Sequence, residues 1–99
     1  MNIIQDKVKR LPNDPGVYMM KDKDENIIYV GKAKNLKKRV SQYFLRKQDH
    51  IKVKKMVENV CDFDFFVVND EMEALALENN LIKKHKPYYN ILLKDSKTY

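Results

Sequence analysis

Gly16-Val17-Tyr18-Met19-Met20-Lys21-Asp22-Lys23-Asp24-Glu25-Asn26-Ile27-Ile28-Tyr29-Val30-Gly31 places two short runs rich in β-branched and aromatic residues around a polar centre. Such runs favour extended backbone, and polar residues between them favour a turn. The segment therefore predicts a β-hairpin, with Gly16 to Lys21 as the outgoing strand, 22–25 as the loop and Asn26 to Gly31 as the return. With that loop Lys21 pairs with Asn26, and Tyr18 falls opposite Tyr29. Cross-strand partners share a face, so two phenols are expected side by side.

Outward from the hairpin, the hydrophobic period changes. Ile3 to Leu11 reads as a short amphipathic helix halted before Pro12, and Asn13-Asp14-Pro15 as a turn. Downstream, Leu36, Val40, Tyr43 and Phe44 follow helical spacing behind Asn35, a ready N-cap. A second helix spans roughly Asp49 to Asn59, with Ile51 and Val57 turned inward and its lysines outward. The run from Asp62 to Val68 is a third strand. Asp70 with Glu73 three residues on is a capping box that opens a helix to about His85, and Lys86-Pro87 ends it. The expected fold is α/β: a small three-stranded, mainly antiparallel sheet surrounded by helices, in the order α-β-β-α-α-β-α. No repeat, low-complexity tract or linker interrupts it, so residues 1–99 form one domain.

Composition narrows the function classes. At 43% hydrophobic residues the chain can build a core, and the lone Cys61 provides neither a disulfide nor a thiolate cluster for zinc. That cysteine usage fits a reducing cytoplasm, and no stretch reads as a signal peptide or membrane span. Twenty Lys and Arg against fourteen Asp and Glu leave a formal charge of +6. The excess gathers in 32–39, 52–55 and 83–86, which points to a polyanion whose condensed counterions lysines displace.

The most informative residue is an acid in an apolar place. At about 100° per residue, Ala74, Leu75, Leu77, Leu81 and Ile82 share one stripe of the last helix, and Glu78 lies in its middle. Asn79, Asn80, Lys83 and Lys84 occupy the opposite face. A carboxylate turned toward a core is costly unless it is paired or binds a metal. An ion pair with a lysine or arginine is the ordinary explanation. In a chain built for phosphates, one divalent ion, Mg²⁺ or Mn²⁺, is the alternative, because such an ion keeps most of its waters and needs few protein ligands. His85 shares the stripe but is expected to cap the helix end.

Gly16-Val17-Tyr18, ten intervening residues, then Tyr29-Val30-Gly31 resembles the signature of the GIY-YIG nucleases, with valine for isoleucine at both centres. Within that superfamily the chain is most similar to the N-terminal domains of UvrC proteins. Pro15-Gly16-Val17-Tyr18, Val30-Gly31-Lys32-Ala33-Lys34, Leu77-Glu78-Asn79-Asn80-Leu81-Ile82-Lys83-Lys84, Pro87-Tyr88-Tyr89-Asn90 and Leu93-Lys94-Asp95 carry the likeness, over nearly the whole chain. The resemblance implies a metal-dependent DNA endonuclease that makes the 3′-side incision in nucleotide excision repair. It implies a monomeric module excised from a longer protein whose other parts engage UvrB. The substrate is then damaged duplex, held by its backbone without sequence preference, since nothing resembles a base-reading helix.

Phosphodiester hydrolysis needs a base, charge stabilisation and help for the leaving oxygen. Glu78 is assigned as the metal ligand and Tyr29 as the base, with Tyr18 orienting the water, the reverse assignment of the two tyrosines being the alternative; Lys32, three residues from Tyr29, favours the phenolate. Arg39 braces the phosphate, and Tyr43, one turn on, bonds the phosphate or the water. Asn90, by the resemblance, holds an active-site group in place. Lys34, Lys37, Lys52, Lys54, Lys55 and Lys84 are candidates for the DNA backbone. Each residue has a plainer reading: amphipathic strand tyrosines, strand-end glycines, solvated charges, a turn-forming asparagine. The rival functions are a non-catalytic DNA-binding or docking module of the same fold, and a nuclease of another GIY-YIG branch.

Overall fold

Val17, Met19 and Val30 leave the hairpin on one side and Tyr18 and Met20 on the other, so the sheet is apolar on both faces and needs cover on both. The computed structural model describes residues 3–45 and 50–96, with side chains through residue 93. Its elements are α1 (Ile3–Lys9), β1 (Gly16–Lys21), β2 (Ile27–Ala33), α2 (Leu36–Phe44), α3 (Ile51–Asn59), β3 (Asp62–Val67), α4 (Glu71–His85) and α5 (Tyr88–Ser96). The strands form one antiparallel sheet in the order β2-β1-β3, with β1 central. The α/β class and the three-stranded sheet agree with expectation, and α5 is an additional element. Asp49, where α3 was expected to begin, lies outside the described residues.

One face of the sheet is covered by α1, α2, α3 and α5. Ile4, Val8, Leu36, Val40, Met56 and Leu93 close there over Tyr18, Met20 and Phe63. The other face is covered by α4, with Ala74, Leu77, Leu81 and Ile82 over Val17, Met19 and Val30. Each fully buried aliphatic or methionine side chain in these layers contributes about 1.5–3 kcal/mol. Two inward positions read from periodicity are corrected. Ile51 is 70% exposed because α3 turns Met56 inward instead, and Leu75 is 44% exposed because it lies beside the stripe rather than on it.

The hairpin register also differs from expectation. Tyr18 pairs with Gly31, and Tyr29 with Met20. The loop runs over residues 22–26, closed by the Asp22 carboxylate, whose Oδ1 accepts from the backbone N–H of Asp24 and of Asn26, each at 2.9 Å. Glu25 takes the left-handed conformation there, with φ 65°. A bulge between Met20 and Lys21 shifts the pairing by one more residue. Because side chains alternate, two slips of one residue restore the face that a single slip would invert. Tyr18 and Tyr29 thus still share a face, as diagonal neighbours.

Local chemistry sets the helix ends. The Asn35 side chain accepts from Lys38 N at 3.1 Å and opens α2, and Asp70 accepts from Glu73 N at 2.9 Å and opens α4. The capping box is half formed, because the Glu73 carboxylate accepts from the Asn69 amide at 3.3 Å. At the far end the C-cap is Lys86 in the left-handed region, not His85, with its N–H on Ile82 O. Lys7 pins α1 to β3. Its Nζ lies 2.9 Å from Asp62 Oδ1 and 2.5 Å from Phe63 O, and 5.0 Å from the Phe63 ring centroid.

Candidate active site

Three elements bring three phenols together. Tyr18 comes from β1, Tyr29 from β2 and Tyr43 from α2, with ring centroids 6.2, 5.8 and 6.3 Å apart pairwise. Gly31 makes room for them. A Cβ built there would stand 2.5 Å from Tyr18 Cζ and 2.9 Å from Cε2, so the Tyr18 ring lies across a bare Cα. Gly16 is equally constrained, since a Cβ would strike Phe66 O of the neighbouring strand. Both glycines are therefore demanded by close approach, in ordinary backbone conformations, and are not merely strand ends.

The phenols are not equivalent. Tyr18 is 1% exposed and its hydroxyl meets that of Tyr43 at 3.0 Å. Pairing with Gly31 folds the Tyr18 ring inward, and its hydroxyl is held among Tyr43 and Arg39. Tyr29 is half-buried and the most open of the three. Burial holds the Tyr18 phenol well above its ordinary value, and the neighbouring Tyr43 and Tyr29 add to the effect while Arg39 opposes it. Burial also pushes Tyr29 up, followed by Tyr43 through charge and hydrogen bonding. Arg39 again opposes, and Glu78 adds to the rise.

That last influence places Glu78 within electrostatic reach of Tyr29. Glu78 is half-buried on the inward stripe 74, 77, 78, 81, 82 and 85 of α4. Arg39, one turn before Tyr43 on α2, sets its guanidinium carbon 5.5 Å from the Tyr43 ring centroid. Burial works against the Arg39 charge, but the phenols of Tyr18, Tyr43 and Tyr29 outweigh it, so the guanidinium is held above its ordinary value. Arg39 is thus a cation that acts on Tyr29. Lys32, three strand positions away, projects from the opposite face of β2, because odd separations along a strand invert the side.

Asn90 reaches the site from α5. Its Oδ1 accepts from Val30 N at 2.7 Å and its Nδ2 donates to Val30 O at 2.8 Å. β2 is an edge strand, so this amide pairs with the outward N–H and C=O as another strand would. Val30 lies between Tyr29 and Gly31, and clamping it fixes both.

The donor set is chemically selective. Among the described residues no group of three His, Cys, Asp or Glu converges to hold a metal. One carboxylate beside neutral phenols fits a hard, largely hydrated ion such as Mg²⁺ or Mn²⁺, and does not fit zinc.

A cleft of about 320 Å³ opens beside Arg39, between α2, the end of β2 and the start of α4. Lys32, Lys34, Lys38, Arg39, Gln42 and Glu71 line it. Of the lysines expected on DNA, Lys34 lies here, 3.5 Å from Glu71, and Lys37 lines an adjoining groove. Lys52, Lys54 and Lys55 ride on α3 and Lys84 on α4, and none of them lines the cleft. Lys38, Gln42 and Glu71 were not singled out from sequence. The signal available was the stripe 35, 38, 39 and 42 on α2.

A family model described as the UvrC-like GIY-YIG domain matches residues 14–91. UvrABC system protein C of Clostridioides difficile (strain 630) is 55% identical over 97 residues, and that of Caldanaerobacter subterraneus subsp. tengcongensis 59% over 97 residues. Each alignment covers 97% of this chain and 16% of the relative, so the chain spans about a sixth of the length of these proteins. The crystal structure of the GIY-YIG N-terminal endonuclease domain of UvrC from Thermotoga maritima, bound to its catalytic divalent cation, magnesium, superposes with a TM-score of 0.80. It is 40% identical, and the match covers 90% of this chain and 98% of that one.

Proposed function

This chain belongs to the UvrC-like GIY-YIG family, and from that premise we propose that it is a divalent-metal-dependent endonuclease hydrolysing DNA phosphodiester bonds. One observation carries the reading: phenols from β1, β2 and α2 meet with ring centroids 5.8–6.3 Å apart beside Arg39, while the half-buried Glu78 lies on α4, the helix packed against the strand that carries Tyr29.

The residues divide the work. Tyr29 is the base for the attacking water, since it alone of the phenols combines exposure with proximity to the acid. Tyr18 and Tyr43, joined through their hydroxyls, position it, and Asn90 holds the strand that carries it. Arg39 stabilises the charge that builds on the phosphate, and its elevated proton affinity keeps it cationic. When bound at Glu78, a Mg²⁺ or Mn²⁺ ion supplies Lewis-acid stabilisation of the phosphate and leaving oxygen. Burial raises the Tyr29 phenol, so it can take the water's proton only after giving up its own to solvent, which Arg39 and a bound divalent ion would favour.

Within a longer protein of this family, the step proposed for this domain is the 3′-side incision beside a lesion, with UvrB engaged by other parts. The same reading assigns its work to the cytoplasm. The isolated domain is read as a monomer, within a multidomain protein.

The test is a supercoiled plasmid incubated with the chain and Mg²⁺. The expected product is nicked circle, formed with Mg²⁺ or Mn²⁺ and suppressed by EDTA. A chain that binds the plasmid and leaves it supercoiled with either metal is a docking module.

A further inference from the structure

We propose that the cleft beside Arg39 is a subsite for a second phosphate of the DNA strand, flanking the one that is cut, with Lys38 as its principal cation and Glu71 as a built-in brake on its affinity. The inference rests on the nuclease reading, and adds to it where the uncut part of the strand lies.

The cleft has the size and charge for the task. Its volume of about 320 Å³ lies at the small end of the range for specific ligand sites. Four cations, Lys32, Lys34, Lys38 and Arg39, face a single carboxylate, Glu71. A concave wall of one sign focuses potential and concentrates counter-ions more than the same charges would on a flat surface. Lys38 and Gln42 stand one helical turn apart on α2, so both aim across the same opening. Arg39 borders the phenol cluster and also lines the cleft. A strand whose scissile phosphate sits on Arg39 therefore finds its neighbouring phosphate within the cleft. Beyond Lys38 and Gln42 the surface dips again into a second groove, which they also line together with Lys37. The two concavities share Lys38 and Gln42 as a common wall.

Glu71 is the odd member. Its pairing with Lys34 spans 3.5 Å between side chains that are 64% and 85% exposed, so the pair is weak and readily exchanged. A phosphate entering the cleft draws Lys34 away and meets the carboxylate as a like charge. For a nuclease that must release each product, such a brake limits residence.

The experiment measures affinity of a short fluorescein-labelled duplex across a series of KCl concentrations. It is carried out in a Glu78→Gln background with Mg²⁺, so that no cutting intervenes. Lys38→Gln is expected to reduce the log–log salt slope by about 0.9, the loss of one phosphate contact. Glu71→Gln is expected to tighten binding about two- to fivefold. Lys23→Gln, in the hairpin loop at the other end of β2, is the control for overall charge and should leave the slope unchanged. If Lys38→Gln leaves the slope unchanged, or shifts it no more than Lys23→Gln does, the subsite is wrong while the nuclease reading stands. Unchanged or weaker binding by Glu71→Gln removes the brake. A parent that binds no duplex at any salt overturns the subsite and the nuclease reading together.

Discussion

Glu78→Gln is expected to abolish Mg²⁺-dependent nicking, a loss of about a thousandfold or more, while leaving DNA affinity within a few-fold of the parent. The exchange keeps the shape of the side chain and removes its charge. Lewis-acid stabilisation by a bound ion is worth several kcal/mol, and each 1.36 kcal/mol is tenfold in rate. DNA affinity is carried by cations spread over the surface, so it survives. The sign separates this role from another. Glu78 is among the groups that raise the Tyr29 phenol, after burial and Tyr43. If tuning Tyr29 were its only task, removing the charge would ease ionisation of the phenol, and nicking at neutral pH would hold or rise. Equal nicking by parent and variant would therefore remove Glu78 as the metal ligand.

Gly31→Ala is expected to damage both stability and activity. The added methyl would stand 2.5 Å from Tyr18 Cζ, against a ring that is 1% exposed and has no free space to enter. Overpacking of this kind costs about 1–3 kcal/mol, occasionally more, which for a domain of this size lowers Tm by roughly 4–24 °C. Displacing the ring also breaks the 3.0 Å contact between the Tyr18 and Tyr43 hydroxyls, on which the placement of Tyr29 depends. A glycine kept only for flexibility behaves in the opposite way, because alanine in ordinary strand backbone is neutral or stabilising by about 0.5–1 kcal/mol. Thermal denaturation monitored by circular dichroism, followed by the plasmid assay, tells the two apart. An unchanged or higher Tm contradicts the packing described for Gly31.

Much of this arrangement was legible before any coordinates, for identifiable reasons. Side-chain alternation put Tyr18 and Tyr29 on one face even though their expected pairing was two residues out, since an even error conserves the side. The error came from the Asp22 carboxylate, which closes a longer loop, and from a bulge that no residue type announces. Helical spacing placed Glu78 on the inward stripe of α4 and Arg39 one turn from Tyr43, because both relations are local to one helix. Lys32 leaves β2 on the side opposite Tyr29, which proximity along the chain does not announce. The helix α5 was hidden by Pro87, read as a terminator. Proline is also well tolerated at helix starts, and here its carbonyl accepts from Asn90 N at 3.2 Å. The cleft of Lys38, Gln42 and Glu71 was harder to read because it exists only where α2, the end of β2 and the start of α4 come together, and the stripe 35, 38, 39 and 42 gives no sign of Glu71.

Crystals of the chain soaked in Mn²⁺ and measured at a wavelength where manganese scatters anomalously would locate the ion directly. The expected peak lies about 2.1 Å from a Glu78 carboxylate oxygen, with water completing most of the coordination shell. A well-occupied peak bound elsewhere, with the Glu78 carboxylate taking no part, would contradict a metal-dependent nuclease centred on that side chain.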